Sequence, residues 1–183
     1  PATGRGSPSC ASVYAPSSTY YAAHINYTKK NYVTALGGFE KLQNDEAFGK
    51  VVPYYIAQIK FLQGDYNALL EYTKPLLADG EAVKARGDIN RLAGEAYYRT
   101  GQYKEAQPYL EKSIQRGGME RGDRYIAGYV FYKNGEYKKA LDQLNMVASP
   151  GNKPVEDSLA QLAAYHMADC YLLLNEKNYA RNA

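Results

Sequence analysis

The chain has no tryptophan, two histidines and two cysteines among its 183 residues. The cysteines, Cys10 and Cys170, lie far apart and make no disulfide framework, and they leave the redox compartment open. A zinc site needs four protein ligands, or three and a water. With Cys10 and His24 at one end and His166 and Cys170 at the other, no ligand set assembles and no metal is expected. The same scarcity removes nucleophilic catalysis, because His24 and His166 are the only imidazole bases and neither adjoins a nucleophile elbow. No phosphate-cradling loop occurs; Gly117-Gly118 reads as a helix terminator. No enzyme activity and no cofactor are therefore expected. No stretch approaches the roughly 20 apolar residues that span a bilayer, so direct membrane insertion is not expected. Charge is nearly balanced, 22 Lys and Arg against 19 Asp and Glu, with no basic stripe that would suit nucleic acid.

Tyrosine is plentiful: 20 of them, against 4 phenylalanines, in a chain that is 45% hydrophobic. A Tyr ring packs between helices while its hydroxyl reaches water or a backbone carbonyl. Small residues recur in pairs twelve apart: Ala23 and Ala35, Gly94 and Ala106, Gly128 and Ala140, Ala168 and Ala180, with Ala57 and Leu69 keeping the spacing. Tyr32, Tyr66, Tyr103 and Tyr137 each follow the first member by nine, and successive copies start 34, 37, 34 and 40 residues apart. Such a period marks a helical solenoid. Within a copy, an apolar helical stretch meets a turn such as Gln63-Gly64-Asp65, Thr100-Gly101-Gln102 or Asn134-Gly135-Glu136. Glycine there can take the left-handed conformation that ends a helix, and the polar residue after it can cap the next one. Small residues on either side of the turn can face each other where the two helices cross.

These residues resemble the tetratricopeptide repeat (TPR), most fully in Leu92-Ala93-Gly94-x-x-Tyr97-Tyr98-x-x-Gly101-x-Tyr103-x-x-Ala106 and in Ala127-Gly128-x-x-Phe131-Tyr132-x-x-Gly135-x-Tyr137-x-x-Ala140. The resemblance runs over about residues 19–183. It implies an all-α fold, a right-handed α-solenoid of about four and a half helix-turn-helix repeats. The first copy departs with Lys30 at the turn, and the last with Asn175 at the turn and Lys177 at the aromatic position. The tyrosine-rich style also resembles large repeat proteins of Bacteroidetes cell envelopes, which implies a periplasmic or envelope location.

Residues 1–18 hold three Pro, two Gly and five Ser and read as an irregular arm, with Ser17 or Ser18 capping the first helix. Helices are expected at 19–29 and 31–43, 53–63 and 66–78, 88–100 and 103–116, 123–134 and 137–147, and 155–174 with 177 onward. Residues 19–183 then form the solenoid, read as a fragment of a longer array because no polar cap covers its last helix. Pro75 and Pro108 should kink or shorten their helices. The two Arg-Gly-Asp tripeptides, Arg86-Gly87-Asp88 and Arg121-Gly122-Asp123, each precede a first helix and read as N-caps rather than integrin ligands. His166 and Cys170, four apart on one helix face, read as a structural pair.

In the TPR family the first helices line a concave groove. Carrying its contact positions over gives Tyr20, His24 and Tyr27; Tyr54, Gln58 and Phe61; Arg91, Glu95 and Tyr98; Tyr125, Tyr129 and Tyr132; and Tyr165, Asp169 and Leu172. Arg99 and Lys133 add a basic rim to the third and fourth copies. The family's clamp for acidic chaperone tails is not expected, since its positions here hold Tyr20, His24, Tyr55, Asp88 and Leu92. The resemblance implies a scaffold or assembly module that binds a protein or peptide segment on a tyrosine-rich groove. Two alternatives stay open: a glycan-binding envelope module, and a structural spacer whose ends stack on further repeats.

Overall fold

A computed structural model describes residues 10–78, 84–153, 157–175 and 179–180. They form α-helices with no strand among the described residues: α1 (Cys10–Thr28), α2 (Tyr32–Glu40), α3 (Val52–Leu62), α4 (Tyr66–Ala78), α5 (Arg86–Arg99), α6 (Tyr103–Arg116), α7 (Arg121–Lys133), α8 (Tyr137–Ala148) and α9 (Ser158–Leu173). The architecture is a helix-pair solenoid of the expected all-α class, and it divides into two compact units, residues 1–86 and 87–183.

The first unit is built on Ala23, Ala35, Phe39, Val52, Ile56 and Ile59, with Tyr20, Tyr27 and Tyr55 packed against them. Helix α1 begins at Cys10, well before residue 19, and runs through Pro16. Ser18 therefore lies inside the helix, where its hydroxyl donates to the Ala15 carbonyl instead of capping. Residues 1–9 of the expected arm lie outside the described residues. Pro75 and Pro108 stay inside α4 and α6.

The second unit is centred on Leu110, Val130, Phe131, Leu144, Val147, Ala163 and Cys170. The small residues sit where helices cross, but their closest partners differ from those the spacing suggests. A Cβ placed on Gly94 would lie 2.8 Å from Cγ of Leu110, and one on Gly128 would lie 2.8 Å from Cγ of Leu144. Ala106 and Ala140 are fully buried beside these contacts. The glycine thus makes room for a leucine one turn beyond the paired alanine. Asn134 ties the third and fourth copies, donating through Nδ2 to the Tyr103 carbonyl at 3.0 Å and to Oε1 of Gln107 at 2.8 Å.

One turn recurs. Lys30, Gly64, Gly101, Gly135 and Asn175 all have positive φ. At the first four, the next residue's N–H reaches five back, as in Asn31 to Asn26, Asp65 to Lys60, Gln102 to Tyr97 and Glu136 to Phe131. This pattern closes the last carbonyls of each first helix. Asn175 at the same place puts Ala168 and Ala180 in register with Gly128 and Ala140, as the twelve-residue spacing predicts. Of the polar residues after the turns, Asp65 caps with its side chain, accepting from the Ala68 N–H at 3.1 Å. Asn31, Gln102 and Glu136 make no side-chain cap bond. Lys30 carries a φ of 62°, which costs a side-chain-bearing residue about 1 kcal/mol. Lys30→Gly is expected to raise stability by about that amount, and Gly101→Ala to lower it similarly. Thermal melts of the two variants check this.

Candidate peptide-binding face

The Arg-Gly-Asp segments are not caps. Both lie inside the first turns of α5 and α7, and the N-cap of α7 is Glu120. An acid in a first turn is favoured by the helix dipole, and each carboxylate meets an arginine: Asp88 with Arg116 at 2.8 Å and Asp123 with Arg91 at 3.4 Å. A Cβ on Gly87 would lie 2.2 Å from Cδ of the Arg116 side chain, which is half-exposed and would have to shift aside. Gly122 has open space around its would-be Cβ.

Arg121 donates to the Val147 carbonyl and to both carboxylate oxygens of Asp157, the closest at 2.7 Å. Asp157 in turn caps α9, accepting from the Ala160 N–H at 2.8 Å. Arg121 first, and then the Ala160 N–H, hold the Asp157 carboxyl at about 2, below its ordinary 3.8. The native chain therefore keeps the carboxylate where the unfolded chain has protonated it. This stabilisation is complete above pH 3.8 and is lost as pH falls through about 2. Asp157→Asn is expected to flatten the fall of melting temperature over that interval, measured in a pH series of melts.

On the first unit, the candidate residues Tyr20, His24, Tyr27 and Tyr54 gather around Tyr55. Tyr55 stacks on Phe39 with centroids 4.8 Å apart and meets the edges of His24 and Tyr27 at 5.5 Å each. Tyr20 stacks on Phe48 at 4.6 Å, and Tyr54 meets Tyr55 at 5.5 Å. Burial raises the Tyr20 phenol to about 12. Tyr20 and Tyr27 fill the seam between the first two copies more than they offer a free surface. Gln58 lies half-buried on α3, and Phe61 packs across the turn on Tyr66 at 5.5 Å.

On the second unit, α5, α7 and α9 bring the other candidates onto one face. Tyr98 and Tyr129 meet edge to face at 5.7 Å, and Tyr129 continues to Tyr125 and Tyr132. His166 lies at the centre of this set, 5.0 Å from Tyr129, 5.3 Å from Tyr132 and 5.1 Å from Tyr165. Tyr132 donates its hydroxyl to Asp169 at 2.5 Å, which raises the phenol to about 12. Burial likewise takes Tyr125 to about 12. Lys133 stands over Tyr129 and Tyr132, its Nζ 5.4 and 5.7 Å from their centroids. Tyr129 and Tyr132 are half-buried, Tyr165 is exposed, and Tyr125 is buried.

The basic rim is less basic than its composition suggests. Glu95 is buried between Arg99 at 2.9 Å and Arg91 at 3.7 Å, and Asp123 also meets Arg91. Among the described residues, Lys133 stands over the Tyr129 and Tyr132 rings. A polar cavity of about 250 Å³ beside Arg91 and Arg116 is lined by Asp88, Glu120 and Asp123, of which Asp88 pairs with Arg116 and Asp123 with Arg91.

Sequence reasoning missed His166, Tyr55 and Tyr103 as members of these clusters. His166 and Tyr55 both fall nine residues before a left-handed turn residue, a register that marks the position. His166 is buried, its Nδ1 has no hydrogen-bond partner among the described residues, and burial lowers its pKa. Cys170 shares its helix but points into the core, where burial raises the thiol to about 11. Among the described residues no group of three or more His, Cys, Asp and Glu could hold a metal. No described helix is long and apolar enough to cross a membrane.

A family model described as anaphase-promoting complex, cyclosome, subunit 3 matches residues 88–147, which span most of α5 to α8. No curated protein matches the sequence. Among solved structures, a MamA protein of AMB-1 is 17% identical over 91% of this chain and 93% of its own, with a TM-score of 0.71. MamA of MSR-1 is 17% identical over 91% of each chain, with a TM-score of 0.67. YrrB, described as a TPR protein with an unusual peptide-binding site, is 18% identical over 88% of this chain and 79% of its own, with a TM-score of 0.70. Likeness at this identity carries the fold: these helix pairs are TPR-like.

Proposed function

We propose that this chain is a non-catalytic scaffold that binds a peptide or protein segment on the tyrosine face of α5, α7 and α9. The observation that carries this reading is the unbroken series of rings from half-buried Tyr98, Tyr129 and Tyr132 to buried His166, mounted on packed helices. Burial holds the Tyr125 phenol, and the bond to Asp169 the Tyr132 phenol, at about 12, and the charged groups beside the rings are Lys133, Asp169 and the mutually paired Arg91, Glu95 and Arg99. Tyrosine gives contact area and a hydrogen-bonding tip at low rotamer cost. Such a face fits an apolar segment rich in hydrogen-bond acceptors, with an acidic residue placed for Lys133. The YrrB likeness is compatible with peptide binding on this fold.

The test is selection of phage-displayed random dodecapeptides on the whole chain, followed by titration of the enriched synthetic peptides. The expected result is an enriched sequence family whose binding is lost in Tyr129→Ala and kept in Lys112→Ala, a change on the exposed side of α6. Enrichment insensitive to Tyr129 would move the site elsewhere. Retention of oligosaccharides on a glycan array, with no peptide enriched, would replace this reading with sugar binding.

A further inference from the structure

We propose that the segment taken on the tyrosine face is proline-rich and lies there as a polyproline II strand. That ligand class narrows the peptide-binding reading above and rests on it. Ring geometry is the first reason. Tyr98, Tyr129 and Tyr132 are half-buried, and their planes are steeply inclined, 84° between Tyr98 and Tyr129 and 54° between Tyr129 and Tyr132. Rings set this way leave notches between them, where coplanar rings would make a flat wall. A pyrrolidine is a small, rigid, apolar ring, and proline-rich segments dock in aromatic-lined grooves. The spacing agrees. The ring centroids step by 5.7 and 6.1 Å, and two residues of a polyproline II strand advance about 6 Å. Three residues make a turn, so residues i and i+2 lie on adjacent edges of the strand and both can rest on the face.

Hydrogen bonding is the second reason. Of these three hydroxyls, only that of Tyr132 is engaged among the described residues, donating to Asp169. The carboxylates beside the rings have donors already: Asp169 has Tyr132, and Glu95 has Arg99 and Arg91. Lys133 adds an ammonium over Tyr129 and Tyr132, which only donates. The face therefore has donors to spare and calls for a ligand that brings acceptors. A partner helix has spent its carbonyls on its own N–H groups. A β-strand brings an N–H with every carbonyl, and no strand among the described residues offers an edge to pair with it. A polyproline II strand makes no internal hydrogen bonds, and its prolines bring carbonyls without N–H groups. It is also preformed, so little chain entropy is lost on docking.

Calorimetric titration of the whole chain with acetylated, amidated decaproline tests this. Decaproline is expected to bind. A decapeptide repeating Pro-Pro-Ala-Ala, in which no two prolines stand two apart, should bind at least tenfold more weakly. Tyr129→Ala should weaken decaproline at least tenfold, while Lys112→Ala, on the exposed side of α6, leaves it unchanged. Where Tyr129→Ala loses the parental helical spectrum, the double variant Tyr98→Phe with Tyr129→Phe takes its place. It keeps both rings, deletes both hydroxyl donors and should cost about tenfold. Decaproline that does not bind, or binds no better than the Pro-Pro-Ala-Ala peptide, overturns the proposal. So does decaproline binding that these tyrosine changes leave untouched. The broader reading has a separate outcome. If selected dodecapeptides without proline bind through Tyr129 while decaproline does not, the face takes peptides but not polyproline II. If peptides of neither kind bind, both readings fall.

Discussion

Replacing Gly128 with leucine is expected to lower the stability of the chain by about 3 kcal/mol, the upper part of the range for overpacking a filled core. The first added atom already has no room. A Cβ on Gly128 would stand 2.8 Å from Cγ and 2.9 Å from Cδ2 of Leu144, and 3.4 Å from the Ala140 carbonyl oxygen. Leu144 is fully buried in the cluster that also holds Val130, Phe131 and Val147, so it cannot swing into solvent. The backbones of α7 and α8 must separate, and α9, packed on both, must follow. The same chemistry makes the effect separable from a general intolerance of leucine. Leu144→Ala alone should cost about 2–5 kcal/mol through the cavity it leaves. In the double variant the new leucine enters that cavity, and the combined cost should fall short of the sum by about 0.5–3 kcal/mol. Urea midpoints at constant slope measure all three. Additive costs would mean that Gly128 and Leu144 do not share a space.

Much of the fold was legible because the repeat is written in residues with narrow physical uses. Small residues at the crossings and glycines at left-handed turns are demanded by geometry, so their spacing gave the helix pairs and their register, even through Lys30 and Asn175. What was not legible depends on partners distant in sequence. Asp88 and Asp123 have the chemistry of N-caps, yet arginines 28 and 32 residues away claim them. The start of α1 was hidden because Pro16 and a run of serines carry no helical period. At the candidate face the tyrosine positions followed from the repeat register. Its charge did not: Arg91 and Arg99 read as a basic rim until Glu95 is seen held between them. His166 was set aside with Cys170 because four-residue spacing puts both on one face, whereas that face divides between ring cluster and core.

Tyr129→Ala is expected to weaken binding of a selected groove peptide by about 2 kcal/mol or more, roughly thirtyfold. Tyr129 is the hub of the face, meeting Tyr98 at 5.7 Å, Tyr103 at 5.9 Å, Tyr125 at 6.2 Å, Tyr132 at 6.1 Å and His166 at 5.0 Å. Removing it leaves a gap in the middle of the contact area and frees its neighbours to reorient, so more is lost than one ring's surface. Lys133 rests on two of those rings, but its ammonium is exposed to solvent and screened. Lys133→Ala should therefore cost less and act chiefly on the association rate and its salt dependence. Tyr132→Phe separates the hydroxyl from the ring: it keeps the apolar surface and deletes the bond to Asp169. Its effect on affinity should lie between the other two if the Tyr132–Asp169 pair holds the face in shape. Calorimetry at two salt concentrations, on variants whose melting curves report a folded chain, distinguishes these contributions. If Tyr129→Ala and Lys133→Ala both fold and bind the peptide like the parent, the tyrosine face is not where the peptide sits.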